Sequence, residues 1–436
     1  MIQIANTDSA FESEPLRIPF GFKGAYLTTL WQVICRLVSP TGDQGIGLAT
    51  QSALYADAEL FAQHGEEQSN AWMYALVEKS LQHLGNTRFE HPVDMMEKLL
   101  PLAMQEAVKL TGKRDLHTNF SYNALVSIDY AAWQLYAKAI GHLNFFEMIP
   151  QAYKAPFSYR NSKIGIMFQI SYDMPLEAIE AAVDEGYFIF KIKTGHPGNQ
   201  AEMLEKDMAR LTQIHEILKE RYTPHTPDGF IRYTMDANGR YERKDTLLRY
   251  LDHARQIGAQ ARILFYEEPF SMADSQTVDD IDMAIAGDER IFDEQSALES
   301  IQLGYNVIVL KSVAKTLSTT LKIAKIAYDH GIPCVCSDLT VNPILVEWQK
   351  NLIARLAPFP AINMAMIETN GDSNYTHWLQ MLTYHPCHEA PWTVRHKGAF
   401  YLDDTYYACS GGIFKPYPHY ERQLGGFDTI GAIIDE

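Results

Sequence analysis

The sequence predicts an α/β protein in which a (β/α)8 barrel follows an N-terminal α+β domain. The main observation is that, from about residue 160 onward, eight short apolar runs alternate with amphipathic helical segments. A second observation is that no glycine-rich dinucleotide-binding turn follows the first run, which argues against an open doubly wound sheet. Both observations favour a closed barrel.

Residues 1–150 are predicted to form the α+β domain. The stretch AYLTTLWQVICRLVSPTGDQGIGLATQSAL has the pattern of two strands joined by a polar turn that contains glycine. Helical periodicity follows in the segments ADAELFAQHG, SNAWMYALVEKSLQHLG, VDMMEKLLPLAMQEAVKLTG and NALVSIDYAAWQLYAKAIG.

The barrel is predicted to occupy residues 151–385. Its eight strands are expected at 164–170, 187–193, 231–236, 262–267, 283–288, 306–311, 332–337 and 361–367. Residues 386–436 are rich in Gly, Pro and Tyr, and we expect irregular structure or short strands that pack on the N-terminal domain.

The composition excludes several classes of partner. The 37 Lys and Arg against 54 Asp and Glu give a net charge of −17, which opposes binding to nucleic acid and to anionic membranes. The five cysteines are scattered and match neither a disulfide framework nor a zinc site. Since neither a signal peptide nor a long apolar stretch is evident, we expect a cytoplasmic protein.

Acidic residues end three neighbouring predicted barrel strands: Asp236, Glu267 and Asp288 on strands three, four and five. The carboxyl ends of barrel strands meet at one mouth, so these side chains are expected to lie close together. Three carboxylates at one place repel one another and raise one another's pKa values unless a cation lies between them. Hard oxygen ligands without His or Cys predict a Mg²⁺ site rather than a zinc site.

Lys191 and Lys193 lie on the same face of the second predicted strand, toward the barrel interior. A partly dried lysine next to another ammonium group is expected to have a lowered pKa and to act as a base. Lys193 is nearer the mouth and is the candidate base, while Lys191 would tune its pKa and contact a substrate carboxylate. Lys311 ends strand six, across the barrel, so that one ammonium would face each side of the reacting carbon. The alternative is a structural network in which the lysines only pair with the acids.

Together these motifs resemble those of the enolase superfamily, and within it the muconate lactonizing enzyme-like subgroup of the mandelate racemase/muconate lactonizing enzyme family. The matching elements are Lys-x-Lys at 191–193, MDANG at 235–239, EEP at 267–269, GDE at 287–289 and Lys311. The stretch VICRLVSPTGDQGIGLA also resembles the hairpin of that family's capping domain.

The resemblance implies a modified TIM barrel under an α+β capping domain, with Mg²⁺ as the cofactor. The implied metal ligands are Asp236, Glu267 and Asp288. The metal would hold a substrate carboxylate and stabilise the enediolate formed when the α-proton is removed. Lys193 and Lys311 would be the acid/base pair, with Lys191 tuning the former. Candidates for contacts with substrate or with the metal ligands are Asn238, Glu268, Glu289, Glu368 and Asn370.

The sequence departs from two branches of the family. Ser337 stands where the mandelate racemase-like branch has a His on strand seven, which disfavours that branch. Dipeptide epimerases carry Asp-x-Asp at the end of strand eight, whereas this chain has Glu368-Thr369-Asn370, which leaves one charge for a cationic amino group. The N-terminal domain and an insertion at residues 223–230 are longer than the resemblance leads us to expect.

The leading hypothesis is a Mg²⁺-dependent racemase or epimerase acting α to the carboxylate of a small molecule, such as an amino acid derivative or dipeptide. The alternative within catalysis is a lyase, either o-succinylbenzoate synthase-like or an acid-sugar dehydratase, or else a cycloisomerase. A non-catalytic metabolite sensor is the alternative outside catalysis, although two buried lysines argue against it. Enzymes of this fold often form homo-oligomers, an analogy that leaves the assembly of this chain open.

Overall fold

The computed structural model describes residues 1–23 and 25–425. Its N-terminal part contains strands and helices in an α+β arrangement. These are β1 (Ile2–Gln3), β2 (Asn6–Phe22), β3 (Ala25–Val38), β4 (Gln44–Gln51), α1 (Ala53–Ala56), α2 (Ala58–Leu84), β5 (Arg88–Phe89), α3 (Pro92–Thr111), α4 (Thr118–Ile140) and α5 (Phe145–Met148). Helix α2 is interrupted at Gly65, whose φ of 81° separates the two helices that the sequence predicts there.

Strands β2, β3 and β4 form an antiparallel sheet in that order. The β3–β4 pair is the predicted hairpin, with Trp31 opposite Gln51 and Val38 opposite Gln44. Strand β2 was not predicted, because its polar residues and two prolines give no strong apolar alternation. It lies at the edge of this sheet, where one side of a strand stays exposed and such residues are tolerated.

Two glycines of β4 allow helix α4 to pack directly on the sheet. A Cβ atom at Gly45 would lie 2.0 Å from the carbonyl oxygen of Ala131, and one at Gly47 would lie 1.9 Å from that of Ser127. Any other residue would therefore push α4 away from the sheet. The close contact holds α4 between the sheet and the barrel.

The eight predicted barrel strands are present and close into one parallel barrel. They are β6 (Lys163–Ile170), β7 (Ile189–Lys193), β8 (Arg232–Asp236), β9 (Ile263–Glu267), β10 (Ile285–Gly287), β11 (Val307–Leu310), β12 (Cys334–Cys336) and β13 (Ala365–Glu368). Each strand pairs in parallel with the next, and β13 pairs with β6 to close the barrel. The capped (β/α)8-type fold predicted from the sequence is thus confirmed.

Helices follow most of the barrel strands. They are α6 (Leu176–Asp184), α7 (Gln200–Leu218), α8 (Lys244–Gln256), α9 (Glu294–Gln302), α10 (Ser312–Lys315), α11 (Leu317–Asp329), α12 (Pro343–Ile353), α13 (Gly371–Asn374) and α14 (Trp378–Thr383). Short 3₁₀ helices lie at Gln151–Tyr153, Ala155–Phe157, Gln260–Arg262, Pro391–Thr393 and Ser410–Gly412. The connection from β9 to β10, which the structure describes in full, contains no helix, so this unit departs from a regular βα repeat.

The C-terminal segment contacts both the barrel and the N-terminal sheet. It contains β14 (Ala399–Tyr401), α15 (Asp404–Cys409) and α16 (Pro418–Glu421). Strand β14 pairs antiparallel with the first residues of β6, and His419 lies 2.9 Å from Glu12 of β2. We propose a division near residues 150 and 385. Residues 426–436 of the predicted C-terminal segment lie outside the described residues.

The insertion at residues 223–230 precedes β8 and lies at the end of the barrel opposite the mouth. Its His225 Nδ1 is 2.8 Å from Nζ of Lys163, the first residue of β6. The insertion is therefore remote from the strand ends that carry the candidate chemistry. In residues 1–23 and 25–425, no helix is long and apolar enough to cross a membrane.

Candidate active site

One cavity at the barrel mouth brings together most of the residues that the sequence singles out. The N-terminal domain contributes Phe20, Leu27, Ser52 and Tyr55 to its lining. The barrel contributes Gln169, Lys191, Lys193, Asp236, Asn238, Asp288, Glu289, Lys311, Ser337, Asp338, Leu339, Thr340, Glu368 and Asn370. The cavity therefore lies between the two parts of the chain.

The three acidic residues proposed as metal ligands lie on adjacent strands. Asp236 and Glu267 are paired residues at the ends of β8 and β9, and Asp288 follows β10. Each is at most 1% exposed. Parallel pairing thus places Asp236 and Glu267 at the same level of the barrel wall, whereas Asp288 lies two residues beyond Ala286, the partner of Glu267. Glu267 does not line the cavity itself.

Lysine side chains neutralise these carboxylates. Lys191 Nζ lies 3.1 Å from Asp236, 2.8 Å from Glu267 and 2.8 Å from Glu368. Lys193 Nζ lies 2.5 Å from Asp236 and donates a hydrogen bond to Asn238 Oδ1 at 2.9 Å. The network that the sequence leaves open as an alternative is present in this structure.

Asp288 pairs with two lysines. Lys311 donates to its Oδ2, and Lys315 Nζ lies 2.9 Å from its Oδ1 and 2.6 Å from its backbone oxygen. Lys315 is 1% exposed. Lys315 was not predicted from the sequence, although its position one helical turn after Lys311 is a signal that could have indicated a second cation at this strand end.

The pKa values in this cluster follow from the ion pairs. Burial lowers the pKa of Lys191 and of Lys311, but the surrounding carboxylates raise it by more, so that both pKa values lie above the usual range. The expectation that a neighbouring ammonium and drying lower the pKa is therefore wrong for Lys191. Burial likewise raises the pKa of Asp236 and Asp288, but the lysines outweigh it and hold both below their usual values.

Glu267 differs from Asp236 and Asp288 in the direction of its pKa shift. Burial, together with the charges of Asp236 and Asp288, raises its pKa well above the usual value, although Lys191 opposes this shift. Lys191 Nζ lies 2.8 Å from its Oε2 and donates to its Oε1 at 2.9 Å, so one ammonium group faces both oxygens. A hard divalent cation between the three carboxylates would relieve the repulsion that remains among them.

The three carboxylates of Asp236, Glu267 and Asp288 are ligands of the type that a hard divalent cation prefers. Three buried carboxylates project from consecutive strands toward one region, and no His or Cys is among them. Within residues 1–23 and 25–425, no three acidic, His or Cys side chains are already arranged as ligands of one ion. The carboxylates face ammonium groups instead, so an ion would have to replace Lys191, Lys193 and Lys311 as their partners.

The neighbouring glutamates have different positions. Glu268 does not line the cavity: its carboxylate accepts from the backbone N–H of Asp288 and from Arg290 Nε, both at 2.8 Å. Glu289 lines the cavity and accepts from Asn238 Nδ2 at 3.1 Å. Its Oε1 also lies 3.3 Å from Nζ of Lys23, a residue of the N-terminal domain that the sequence analysis missed.

At the ends of strands seven and eight, Glu368 accepts hydrogen bonds from Lys191 at 2.8 Å and from Ser337 at 2.5 Å. Asn370 donates to Gln169 Oε1 at 2.7 Å. Asp338, which the sequence analysis did not single out, is buried beside them.

Tyr55 of helix α1 covers the sixth-strand lysine. Lys311 Nζ lies 4.8 Å from the centre of its ring, a cation–π distance, and Lys23 Nζ lies 5.1 Å from the same ring. The Tyr55 hydroxyl is buried without a hydrogen-bond partner. No sequence signal places α1 over this strand, because the contact depends on how the two parts of the chain dock.

Comparisons with known proteins agree with this architecture. Residues 174–386 match the family model described as enolase C-terminal domain-like. No curated protein sequence gives a significant match. A mandelate racemase/muconate lactonizing protein from Herpetosiphon aurantiacus superposes with a TM-score of 0.65 at 16% identity, covering 92% of this chain and 96% of its own.

Two further solved structures have this fold. The dipeptide epimerase from Cytophaga hutchinsonii, complexed with Mg and the dipeptide D-Ala-L-Val, has a TM-score of 0.61 at 18% identity, covering 93% of this chain and 97% of its own. The N-succinyl Arg/Lys racemase from Bacillus cereus has a TM-score of 0.60 at 15% identity, covering 86% and 89%. At such identities the likeness concerns the fold. Residues 174–386 are thus similar to the enolase C-terminal domain-like family, and the chain as a whole has the fold of mandelate racemase/muconate lactonizing proteins.

Proposed function

We propose that this protein is a Mg²⁺-dependent racemase or epimerase that removes and returns the proton α to a carboxylate. The observation that supports this most directly is that Lys193 and Lys311 line one cavity from β7 and β11. These are the second and sixth strands of an eight-stranded barrel, so they lie on opposite sides of it. A proton removed from one face of a carbon and delivered to the other requires this arrangement of two groups.

The residues that would hold the metal are Asp236, Glu267 and Asp288. When bound, Mg²⁺ would hold the substrate carboxylate and stabilise the negative charge that develops as the α-proton leaves. The burial of all three carboxylates at the ends of consecutive strands supports this assignment. The Mg present in the related dipeptide epimerase supports the choice of metal.

Lys193 and Lys311 would alternate as base and acid, so that one lysine is neutral and the other charged at the start of each turnover. Lys311 is held charged here by Asp288, which raises its pKa against the effect of burial. With Asp288 serving as a ligand of the proposed metal, its charge would raise the pKa of Lys311 less, and Lys311 would give up its proton more readily. Lys191 is buried among three carboxylates and would act by its charge, near the substrate carboxylate.

The test is α-proton exchange in D₂O, followed by NMR with excess Mg²⁺ and a panel of dipeptides and N-acyl amino acids. We expect the wild type to exchange the α-proton of both epimers of a substrate. Lys193→Ala and Lys311→Ala should each lower epimerisation by about 10³-fold, because each removes one proton-transfer group. Each variant should keep partial exchange for only one epimer.

Lys163→Ala is the matched control, since Lys163 belongs to the same barrel but lies at its far end beside His225. It should leave exchange unchanged. Loss of water or formation of a new ring in the product would identify a lyase or a cycloisomerase instead. Wild-type rates in both active-site variants would refute the assignment of the lysines.

A further inference from the structure

Asp338, two residues beyond the end of β12, is a buried acid that faces the active-site cavity without a cationic partner. It is 5% exposed. Its Oδ1 accepts the backbone N–H of Thr340 at 3.0 Å, while its Oδ2 makes no hydrogen bond of acceptable geometry. An unpaired carboxylate oxygen in such a position is costly unless a ligand satisfies it.

The other acids that line the cavity are already paired. Asp236 contacts Lys191 and Lys193, and Asp288 contacts Lys311 and Lys315. Glu289 contacts Lys23 and Glu368 contacts Lys191. Among the cavity acids in residues 1–23 and 25–425, Asp338 alone has no Lys, Arg or His within ion-pair distance.

The strand-eight residues considered earlier for an amino group are occupied inside the protein. Glu368 is taken by Lys191 and Ser337. Asn370 donates to Gln169 and accepts from the Thr340 hydroxyl at 2.8 Å. The carboxylate that remains available at this side of the cavity is therefore the one on strand seven.

The surroundings of Asp338 agree with a cationic ligand. Burial and the charge of Glu368 raise its pKa to about 7, whereas hydrogen bonds from the Thr340 backbone and the Thr369 side chain, together with the charge of Lys311, lower it. A positively charged group placed against Oδ2 would favour the ionised form and relieve the repulsion from Glu368. Strand seven lies next to strand six, so this group would sit on the same side of the cavity as Lys311.

We propose that Asp338 binds a free cationic amino group of the substrate. The substrate class is then a carboxylate with an unacylated ammonium group, such as a dipeptide, rather than an N-acylated amino acid. This inference rests on the proposed function for the reaction, but it concerns binding and is tested as such.

The experiment is isothermal titration calorimetry on the full chain with excess Mg²⁺, using D-Ala-L-Val and its N-succinyl form as probes. The wild type should prefer the free dipeptide by on the order of 30-fold, since acylation removes the charge that Asp338 pairs with. Asp338→Asn should lose most of this preference by weakening the free dipeptide alone. If the variant folds poorly, the binding of the two probes to the wild type still shows whether the site prefers a free ammonium group.

Asp372→Asn is the control, because Asp372 is an acid near strand eight that pairs with Arg395 outside this cavity. It should keep the preference. Equal binding of the two probes by the wild type, binding of neither, or an unchanged preference in Asp338→Asn would overturn the inference. Selective binding of the free dipeptide without α-proton exchange would instead overturn the proposed function and leave the role of Asp338 intact. Exchange of the α-proton of N-succinyl amino acids, without any preference for free amines in binding, would support the proposed function and overturn the inference about Asp338.

Discussion

Asp288 forms ion pairs with two ammonium groups, so that one carboxylate faces two positive charges. Lys311 comes from the strand end and Lys315 from the short helix α10 that follows it. If Lys311 takes part in proton transfer, Lys315 keeps Asp288 ionised while Lys311 changes its charge. The same proximity makes Lys315 a competitor of any divalent cation that Asp288 would hold.

Replacing Lys315 should therefore strengthen metal binding. In Lys315→Met we expect the affinity for Mg²⁺ to rise at least about tenfold, because a like charge beside the bound ion is removed. Calorimetric titration of EDTA-treated protein with Mg²⁺ measures this. Lys163→Met, a change at the far end of the barrel, should have no effect. Unchanged or weaker binding in Lys315→Met would show that Lys315 orients Asp288 rather than competing with the ion.

Helix α4 connects the capping sheet to the barrel. Its Asp129 accepts the backbone N–H of Ser318 at 2.9 Å, and its Trp133 donates to the Ser318 hydroxyl at 3.0 Å. Ser318 begins the helix that follows the sixth strand and its lysines. The contact therefore links the position of the capping domain to the strand that carries Lys311.

This contact should depend on pH through Asp129. Burial raises its pKa from 3.8 to about 7, although the Ser318 hydrogen bonds oppose the shift. Because the folded state holds this proton more tightly than the unfolded state, the contribution of Asp129 to stability is greatest below about pH 4 and is lost as the pH rises to about 7. Asp129→Asn should reduce the loss of unfolding free energy between pH 5 and pH 8 by roughly 2 kcal/mol.

Urea unfolding of both proteins at the two pH values measures this difference. Taking the difference between the two proteins at each pH cancels the contribution of other buried acids that titrate in the same range. An equal pH dependence in wild type and Asp129→Asn would mean that Asp129 is ionised in the folded state at low pH. Asp94→Asn, a partly exposed acid on helix α3, is the control and should titrate like the wild type.

The whole molecule has a net charge of −17, and its densest cluster of buried acids lies at the junction of its two parts. Binding of a dication there should stabilise the folded chain, since the unfolded chain has no such site. The gain is about 2.7 kcal/mol when the ion is present at 100 times its Kd.

We therefore expect Mg²⁺ to raise the Tm of EDTA-treated protein by a few degrees, as measured by differential scanning calorimetry. Glu267→Gln should abolish the rise, because it removes one proposed ligand. Glu220→Gln, a change at an exposed site, should keep it. A Tm that does not respond to Mg²⁺ in the wild type would contradict the three-carboxylate assignment.

Much of the fold was predictable because its signals are local. Each barrel strand is a short apolar run followed by a polar strand end, so strand order and the positions of Lys193, Asp236 and Lys311 could be read from the chain. Strand β2 was not predictable in this way, since its place at a sheet edge removes the apolar alternation. Short strands were expected in residues 386–436, but the pairing of β14 with β6 was not predictable, because the two strands lie far apart in the chain.

The amino-acid sequence was enough to establish the barrel, the order of its motifs and the acid and lysine types at its mouth, because these depend on periodicity and on adjacent strands. The tertiary structure determined the rest. It places the Tyr55 ring against Lys311 and Lys23 beside Glu289, and it leaves Asp338 without a cationic partner. The direction of the lysine pKa values also depended on it. Charge interactions inside a protein depend on distances between groups that are remote in sequence, and only the folded arrangement sets those distances.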